Sequence, residues 1–407
     1  MEQPAFKVYR YRWVILPAYM LTAAFNQLLW ITFAPITSQA TAYYGVNDLS
    51  IALLSLCFMV AYLVVSIPAS WLIDTRGFRV AVIVGAGLTG VFGLMRGLAG
   101  SNYTLALLAQ IGIAIGQPFI LNALTKVAVR WFPLSERATA SGLGSLAIYV
   151  GILAGMVVTP LLIQQTGMTT LLLIYGAGAL ISAVIFVLVA REHPATPPGT
   201  AEQEVRSSMR EGLRLVLRKP DFLILLLIFF IGLGVFNSVT TWIEDIVRPR
   251  GFSTTLAGIT GGLMIFGGVV GAVILPTLSD HYRRRVPYLR IALAGAIVGL
   301  VGITFAADTL LLMISAVILG FFLLSSGPIG FQYGAEIAQP TPEGTSTGLL
   351  LLMGQISGIA FIVAMDSFRE GDPTTGAMTP SLVVMIALTA ICLLISMRLR
   401  ESALLKQ

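Results

Sequence analysis

The stretch PASWLIDTRGFRVAVIVGAG, residues 68–87, decides the fold. It places Asp74, Arg79 and one further arginine around Gly77, in a short polar segment between two apolar runs. Glycine permits a tight turn that other residues resist, and an aspartate at the start of a helix is favoured by the helix dipole. We therefore predict two helices joined by a tight loop, with Asp74 at a helix N-terminus and paired with Arg79.

The same arrangement returns in LPTLSDHYRRRVPYLRIALAGA, residues 275–296, where three arginines follow Asp280. Asp74 and Asp280 lie 206 residues apart. A second pair of landmarks, Glu136 in SERATASGL and Glu343 in PEGTSTGLL, lies 207 residues apart. Because two independent landmarks give nearly the same offset, the sequence predicts two tandem copies of one unit.

The composition assigns the chain to a membrane. Of its 407 residues, 57% are hydrophobic and 11% are charged, whereas a soluble domain carries about 25% charged residues. About twelve apolar stretches reach the length at which a helix spans a bilayer. We predict an all-α membrane protein with twelve transmembrane helices in two pseudo-symmetric six-helix halves. The spans begin near residues 12, 51, 79, 103, 138, 169, 221, 255, 288, 309, 343 and 378.

The distribution of positive charge predicts the orientation. An even number of spans puts both termini on one side, and lysine and arginine are enriched on the cytoplasmic side. With both termini inside, all but four of the 25 lysines and arginines fall on that side or in the helix ends nearest it, so the net charge of +6 indicates topology and not a nucleic-acid surface. We predict a multi-pass protein of a plasma or inner membrane. The four exceptions are Arg96, Arg248, Arg250 and Arg369.

Residues 191–220 form the longest polar stretch, which predicts a linker between residues 1–190 and 221–407. Its first part is rich in proline and is typical of a loop. Its second part carries an arginine at every fourth position, which predicts a basic amphipathic helix on the anionic inner leaflet. A binding site for a regulatory partner is the alternative. The four arginines are Arg206, Arg210, Arg214 and Arg218.

The loop DTRGFR resembles the signature loop of the major facilitator superfamily, which follows the second span of that fold. The resemblance implies a major facilitator fold, in which this loop latches the two halves on the cytoplasmic side when the transporter faces outward. A simple topology signal of positive charge is the alternative, but two copies in register favour the latch. The residues given this latch role are Asp74, Gly77, Arg79, Asp280, Arg284, Glu136 and Glu343.

Polar side chains within the predicted spans are candidates for binding, because polar groups are costly in hydrocarbon. An amide there also bonds a neighbouring helix in many proteins, and tryptophan also marks the lipid interface. No Asp, Glu or His lies near the middle of a predicted span, which speaks against a proton relay. The candidates, on spans one, four, seven and eleven, include Asn26, Trp30, Phe33, Gln117, Phe236, Asn237 and Gln355.

A narrower resemblance is carried by NQLLWITFAPI, GQPFILNALTKVAVRWFPLSERATASGL and EIAQPTPEGTSTGLLLLMGQISG. These motifs are similar to the feline leukaemia virus subgroup C receptor-related group, solute carrier family 49. Members move choline and ethanolamine by facilitated diffusion, and haem export has been ascribed to some. The resemblance implies a pocket with Trp30, Gln117 and Gln355. It departs at Asn237, where the family places a tyrosine, and each aromatic face contributes roughly 0.5 to 2 kcal/mol to binding a quaternary ammonium.

We therefore predict a monomeric carrier that moves a small organic cation by alternating access and needs no cofactor. An enzyme is not predicted, since His193 and His281 both lie in loops and no nucleophile–base set is present. Cys57 and Cys392 have no metal-ligand spacing. A channel would require subunit rings or filter loops, which nothing in the sequence resembles. The alternatives left open are a proton-coupled carrier of a monocarboxylate and an exporter of drugs or haem.

Overall fold

The computed structural model describes residues 7–196, 214–339, 341, 343–368 and 378–402, with the backbone only at 134, 138 and 343–345. Every regular element in these ranges is a helix. Within the described residues, eleven helical segments are long and apolar enough to cross a membrane. The prediction of an all-α membrane protein is confirmed. The chain divides into two compact units, residues 1–203 and 204–407.

The first unit contains seven helices in its described residues. In it, α1 packs on α5 and α7, α4 packs on the same two helices, and α3 packs on α5. A 3₁₀ turn over Ala34–Ile36 joins α1 to α2. The helices are α1 (Arg12–Ile31), α2 (Thr37–Tyr44), α3 (Asp48–Arg76), α4 (Phe78–Leu98), α5 (Tyr103–Leu121), α6 (Leu124–Trp131) and α7 (Leu134–Val189).

The second unit also contains seven helices in its described residues. Here α12 packs on α10 and α11, and α8 packs on α13. The helices α10 and α11 flank the second charged stretch as α3 and α4 flank the first. The helices are α8 (Pro220–Thr241), α9 (Ile243–Val247), α10 (Thr254–His281), α11 (Val286–Phe305), α12 (Thr309–Ala338), α13 (Glu343–Ser367) and α14 (Thr379–Ser396).

Helix starts repeat between the units. In unit one, Asn47 caps α3 and Asn102 caps α5, each side chain accepting a hydrogen bond from the backbone nitrogen three residues later. Ser253 and Asp308, each 206 residues further on, cap α10 and α12 in the same way. Such side chains satisfy backbone N–H groups that a helix leaves unpaired at its start. The repeated caps match the offset of the two charged loops.

The helix α7 is too long to be one span. Its 56 residues would extend about 84 Å at 1.5 Å per residue, against about 30 Å of hydrocarbon. Gly167 interrupts it with φ 75° and ψ 171°, a backbone conformation that is not helical. The two spans predicted to begin near residues 138 and 169 fall on either side of this glycine. The count of twelve spans stays a prediction.

Close helix contacts rely on glycine at a few positions. At Gly320 on α12, an added Cβ would collide with the carbonyl oxygen of Met264 on α10, and at Gly151 on α7 with that of Ala24 on α1. Small residues at such points let the backbones approach closely, which helps helices to associate in lipid. The helix pairs α1 with α7 and α10 with α12 are therefore tightly packed.

The predicted boundaries are close to the observed ones. The helix α3 begins at Asp48 where a start near 51 is predicted, and α11 begins at Val286 where 288 is predicted. The predicted linker bounds, 191 and 220, stay a prediction. Arg206, Arg210 and Arg369 lie outside the described residues.

Candidate functional site

Trp30 lies in the last turn of α1, where this helix meets α3. Its side chain is 6% exposed, and the indole Nε1 donates a hydrogen bond to the carbonyl oxygen of Ser55 at 3.2 Å. Because the N–H is already paired within the protein, the aromatic faces are the part of the ring that remains for a ligand. A cation binds such a face through the quadrupole of the ring.

Gln117 lies on α5, a helix that packs on α1, and its residue is 7% exposed. Among the residues that the structure describes, its amide has no hydrogen-bond partner. Its amide atoms are not fully enclosed by the protein. By contrast, Asn122 at the end of α5 is fully engaged: it accepts from Tyr62 at 2.7 Å and donates to Ser66 at 2.9 Å. Gln117 is therefore available to a ligand, whereas Asn122 joins α5 to α3.

Asn26 and Phe33 are used for packing. Asn26 is fully buried, donates to Thr89 at 3.1 Å and accepts from Gln27 at 3.3 Å, so its amide joins α1 to α4. Phe33 is 1% exposed, and its ring centroid lies 5.2 Å from the guanidinium carbon of Arg96. Neither side chain faces open space in this structure. Both pack between helices, which is the alternative to their predicted place in a pocket.

In the second unit, α8 and α13 bring two predicted residues together. The Nδ2 of Asn237 donates to the carbonyl oxygen of Gly354 at 3.2 Å, immediately before Gln355. Gln355 is half-buried and, within the described ranges, makes no hydrogen bond. Phe236 is also half-buried. Phe236 and Asn237, which are adjacent on α8, therefore lie on a helix that packs against α13, which carries Gln355.

In the first charged loop, the partner of Asp74 differs from the predicted one. Since α3 continues to Arg76, Asp74 lies in the last turn of that helix and not at a helix N-terminus. Its carboxylate accepts a hydrogen bond from Lys126 Nζ at 3.1 Å, so the predicted pairing with Arg79 is wrong. Gly77 has φ 89°, which glycine adopts readily, and it forms the predicted turn into α4.

The acidic group at the start of α4 is Glu192. Its carboxylate accepts from the backbone nitrogens of Phe78 at 3.3 Å and Arg79 at 2.8 Å. The first N–H groups of a helix have no partner within the helix, and the N-terminal end of the helix dipole attracts negative charge. The prediction of an acid at this position was right in its chemistry and wrong in the residue.

The second charged loop has the same design. Glu401 accepts from the backbone nitrogens of Arg285 at 3.1 Å and Val286 at 3.0 Å, at the start of α11. Asp280 pairs with Arg285, one of the three arginines that follow it, whereas Arg284, to which the latch role is predicted, contributes its backbone to the turn.

Arg285 also forms an ion pair with Glu336 at 3.1 Å, and both side chains are 8% exposed. Burial by itself lowers the pKa of Arg285. The hydrogen bonds and charges of Asp280 and Glu336 outweigh burial, and the pKa is raised. Arg285 therefore holds the charged loop against α12, on which Glu336 lies.

Of the second pair of landmarks, Glu136 and Glu343, the structure describes the side chain of one only. Glu136, in the first turn of α7, accepts from Arg12 Nε at 3.0 Å and Nη2 at 3.2 Å. This bidentate pair joins the start of α7 to the start of α1. The side chain of Glu343 lies outside the described residues.

Sequence reasoning missed the burial of Arg96. Counted among the charges of the outer side, it is in fact 0% exposed within the first unit. It donates to Leu29 O at 2.9 Å, to Gln110 Oε1 at 2.7 Å and to Thr32 Oγ1 at 3.4 Å. Among the described residues, none of these partners is a carboxylate. A lone arginine before the end of an apolar run was the only sequence signal for such a site.

Comparisons with known proteins agree with this fold. The profile of the Major Facilitator Superfamily matches residues 16–362. Solute carrier family 49 member A3 of Danio rerio is 31% identical over 379 residues, covering 89% of this chain and 79% of that protein. The choline/ethanolamine transporter FLVCR1 of Felis catus is 29% identical over 375 residues, covering 87% of this chain and 67% of that protein.

A solved structure shares the fold. A bacterial homologue of the human lysosomal transporter Spinster superposes with a TM-score of 0.77 at 18% identity, covering 97% of this chain and 98% of that one. This chain therefore belongs to the major facilitator superfamily, and within it to the branch of solute carrier family 49 and the FLVCR proteins. It is a multi-pass membrane transporter and not an enzyme.

Proposed function

We propose that this transporter is a facilitative carrier of a small organic cation of the choline or ethanolamine type, working by alternating access. Relatives that cover most of the chain are named choline/ethanolamine transporters, at about 29% identity. We propose Trp30, Gln117, Asn237, Gln355 and Phe236 as substrate-binding residues. Asn26 and Phe33 are packed against other side chains and would stabilise the helices that carry the substrate-binding residues.

The observation that carries the proposal is the state of two amides. Gln117 and Gln355 lie on membrane-spanning helices, and neither has a hydrogen-bond partner among the described residues. The amide atoms of both are not fully enclosed by the protein, so a ligand can reach them. A substrate with a hydroxyl or ammonium group would supply the missing bonds, and the indole faces of Trp30 would attract its charge.

The driving force follows from the charge of the substrate. The acidic residues of the described spans lie near helix ends, so no carboxylate in these segments is placed for a proton relay at depth. A translocated cation would respond to an inside-negative potential worth about 2.3 kcal/mol per charge per 100 mV.

Choline uptake into proteoliposomes tests this proposal. We expect uptake to rise with an imposed potential and to change little with an imposed proton gradient. Uptake that follows the proton gradient and ignores the potential would contradict the proposal. The same proteoliposomes also test a second candidate function, that of a proton-coupled monocarboxylate carrier.

One observation favours that second candidate. Arg96 is a fully buried arginine with no carboxylate partner in the described residues, and a buried arginine is one way to bind a carboxylate substrate. Both of its terminal nitrogens, however, already donate to Leu29, Gln110 and Thr32. Lactate uptake driven by a proton gradient would establish the carboxylate function.

We further propose twelve spans with both termini in the cytoplasm. The break at Gly167 divides α7 into two stretches, each longer than the roughly 20 residues that a span requires. With the native cysteines replaced, a cysteine at His193 should react with a membrane-impermeant reagent only from the cytoplasm, and one at Ser253 only from outside. Labelling of both from one side would contradict the topology.

We also propose that the two charged loops act as the cytoplasmic latch. The pairs that support this role are Asp74 with Lys126 and Asp280 with Arg285, together with Gly77 at the first turn. Arg79 and Arg284 contribute backbone groups in this structure. Glu136 supports the same end of the first unit through Arg12.

A further inference from the structure

The end of α1 inside the first unit is held by a buried cation. A helix leaves its last four carbonyl groups without partners in the helix, and the C-terminal end of its dipole attracts positive charge. At the end of α1, Leu29 O accepts from Arg96 Nη1 at 2.9 Å and from Gln110 Nε2 at 3.3 Å. Arg96 and Gln110 are both 0% exposed.

Gln110 also connects this end to the neighbouring helix α3. Its Nε2 donates to Leu54 O at 3.1 Å as well as to Leu29 O, while its Oε1 accepts from Arg96 at 2.7 Å. The amide therefore joins the two carbonyls that directly precede Trp30 and Ser55.

Those next two residues make the contact that orients the indole. Trp30 Nε1 donates to Ser55 O at 3.2 Å, and Ser55 Oγ donates back to Trp30 O at 3.5 Å. Ser55 is 1% exposed. The geometry of this contact depends on the distance between the backbones of α1 and α3. Gln110, bonded to Arg96, bridges those backbones one residue earlier on each helix.

We propose that Arg96 and Gln110 are positioning residues that set the orientation of the Trp30 indole and so the affinity of the transporter for cationic substrates. This inference rests on the proposed function, in which Trp30 contacts the substrate. Neither residue need touch the substrate itself. The fork of the guanidinium suits this task, since it donates to Leu29, Gln110 and Thr32 at once, which a lysine ammonium on a flexible chain does less well.

Arg250 offers a matched control in the second unit. Its side chain donates to carbonyl groups at the end of α11, to Thr304 O at 3.5 Å and to Ala306 O at 3.1 Å. The chemistry is the same, but the helix end that it holds belongs to the other unit. The experiment compares Arg96→Lys, Gln110→Met and Arg250→Lys in the full chain, each alone and combined with Trp30→Ala.

The first readout is equilibrium binding of choline and of its uncharged carbon isostere. We expect Arg96→Lys to weaken choline binding roughly twofold to thirtyfold, the range of one cation–π contact, with a smaller effect on the isostere. In the Trp30→Ala background the same substitution should have little further effect, because residues that act through one another are not additive. Equal losses for both ligands, or additive losses, would overturn the inference. Arg250→Lys should leave the ratio of the affinities for choline and for the isostere unchanged.

The second readout does not need a substrate. Hydroxyl-radical footprinting should show faster oxidation of Trp30 in Arg96→Lys and in Gln110→Met, and an unchanged rate in Arg250→Lys. If the native protein binds no choline, the proposed substrate fails while this readout still decides the positioning role. Unchanged oxidation of Trp30 in both variants would overturn that role. If Arg96→Lys does not fold, Gln110→Met carries both readouts.

Discussion

Glu192 and Glu401 hold the same position in the two units, each accepting hydrogen bonds from two consecutive backbone nitrogens at the start of a helix. Glu192 binds the start of α4, and Glu401 binds the start of α11. Each carboxylate reaches back more than a hundred residues along the chain. In both units the charged loop is therefore tied to the segment that follows the last helix of that unit.

We expect the two carboxylates to contribute similarly to stability. Glu192→Ala and Glu401→Ala should each lower the free energy of unfolding by about 0.5–2 kcal/mol, the usual cost of a lost N-terminal cap. Thermal unfolding of the purified protein in detergent measures the effect. Glu192→Gln and Glu401→Gln are the controls, since an amide oxygen retains part of the bonding. An unchanged midpoint in both alanine variants would show that these contacts do not stabilise the helices.

Asp74→Asn should reduce transport with little change in stability. The ion pair with Lys126 has an Asp74 side chain that is 60% exposed, so solvent screens it and its contribution to folding is at most about 1 kcal/mol. Transport and the thermal midpoint should be measured on the same preparation. The charge-exchanged double variant, Asp74→Lys with Lys126→Asp, asks whether the pair itself matters. Normal transport in Asp74→Asn would leave the loop only a topology signal.

Trp30→Ala should discriminate between charged and neutral ligands. We expect choline affinity to fall by more than the affinity for the uncharged isostere, because only the cation gains from the aromatic face. Trp242→Ala is a matched control: that indole is 0% exposed and donates to Ile362 O at 3.1 Å. It should lower the thermal midpoint without altering the ratio of the two affinities. If Trp30→Ala and Trp242→Ala give the same ratio of choline affinity to isostere affinity, Trp30 does not belong to the proposed site.

Asn237→Tyr should strengthen the binding of a quaternary ammonium. The added ring would restore the aromatic residue that the family places here, and we expect choline affinity to rise roughly twofold to thirtyfold. Asn237→Leu is the control, because it also loses the bond to Gly354 but adds no aromatic face. Tighter binding in both variants, or in neither, would contradict an aromatic contribution at this position. Isothermal titration of the purified protein measures all three affinities.

The sequence by itself determined the membrane class, most span positions, the tandem repeat and the family. These properties are local or periodic: hydropathy adds up along a single helix, and the offset of 206 residues between Asp74 and Asp280 is visible without any folding. The caps Asn47 and Ser253 repeat that offset in the structure, because each bonds a nitrogen only three residues away. Short-range chemistry of this kind is predictable from sequence.

Only the tertiary structure decided the partners of the charged residues. Asp74 bonds Lys126 and not Arg79, because α3 continues for two residues beyond the aspartate and turns its carboxylate towards α6. Of the three arginines that follow Asp280, Arg285 pairs with both Asp280 and Glu336, a choice that the sequence leaves open. Arg96, which the charge distribution placed on the outer side, is buried because Leu29 O on α1 and Gln110 Oε1 on α5 accept its hydrogen bonds. A partner that lies dozens of residues away is chosen by packing, which no local pattern records.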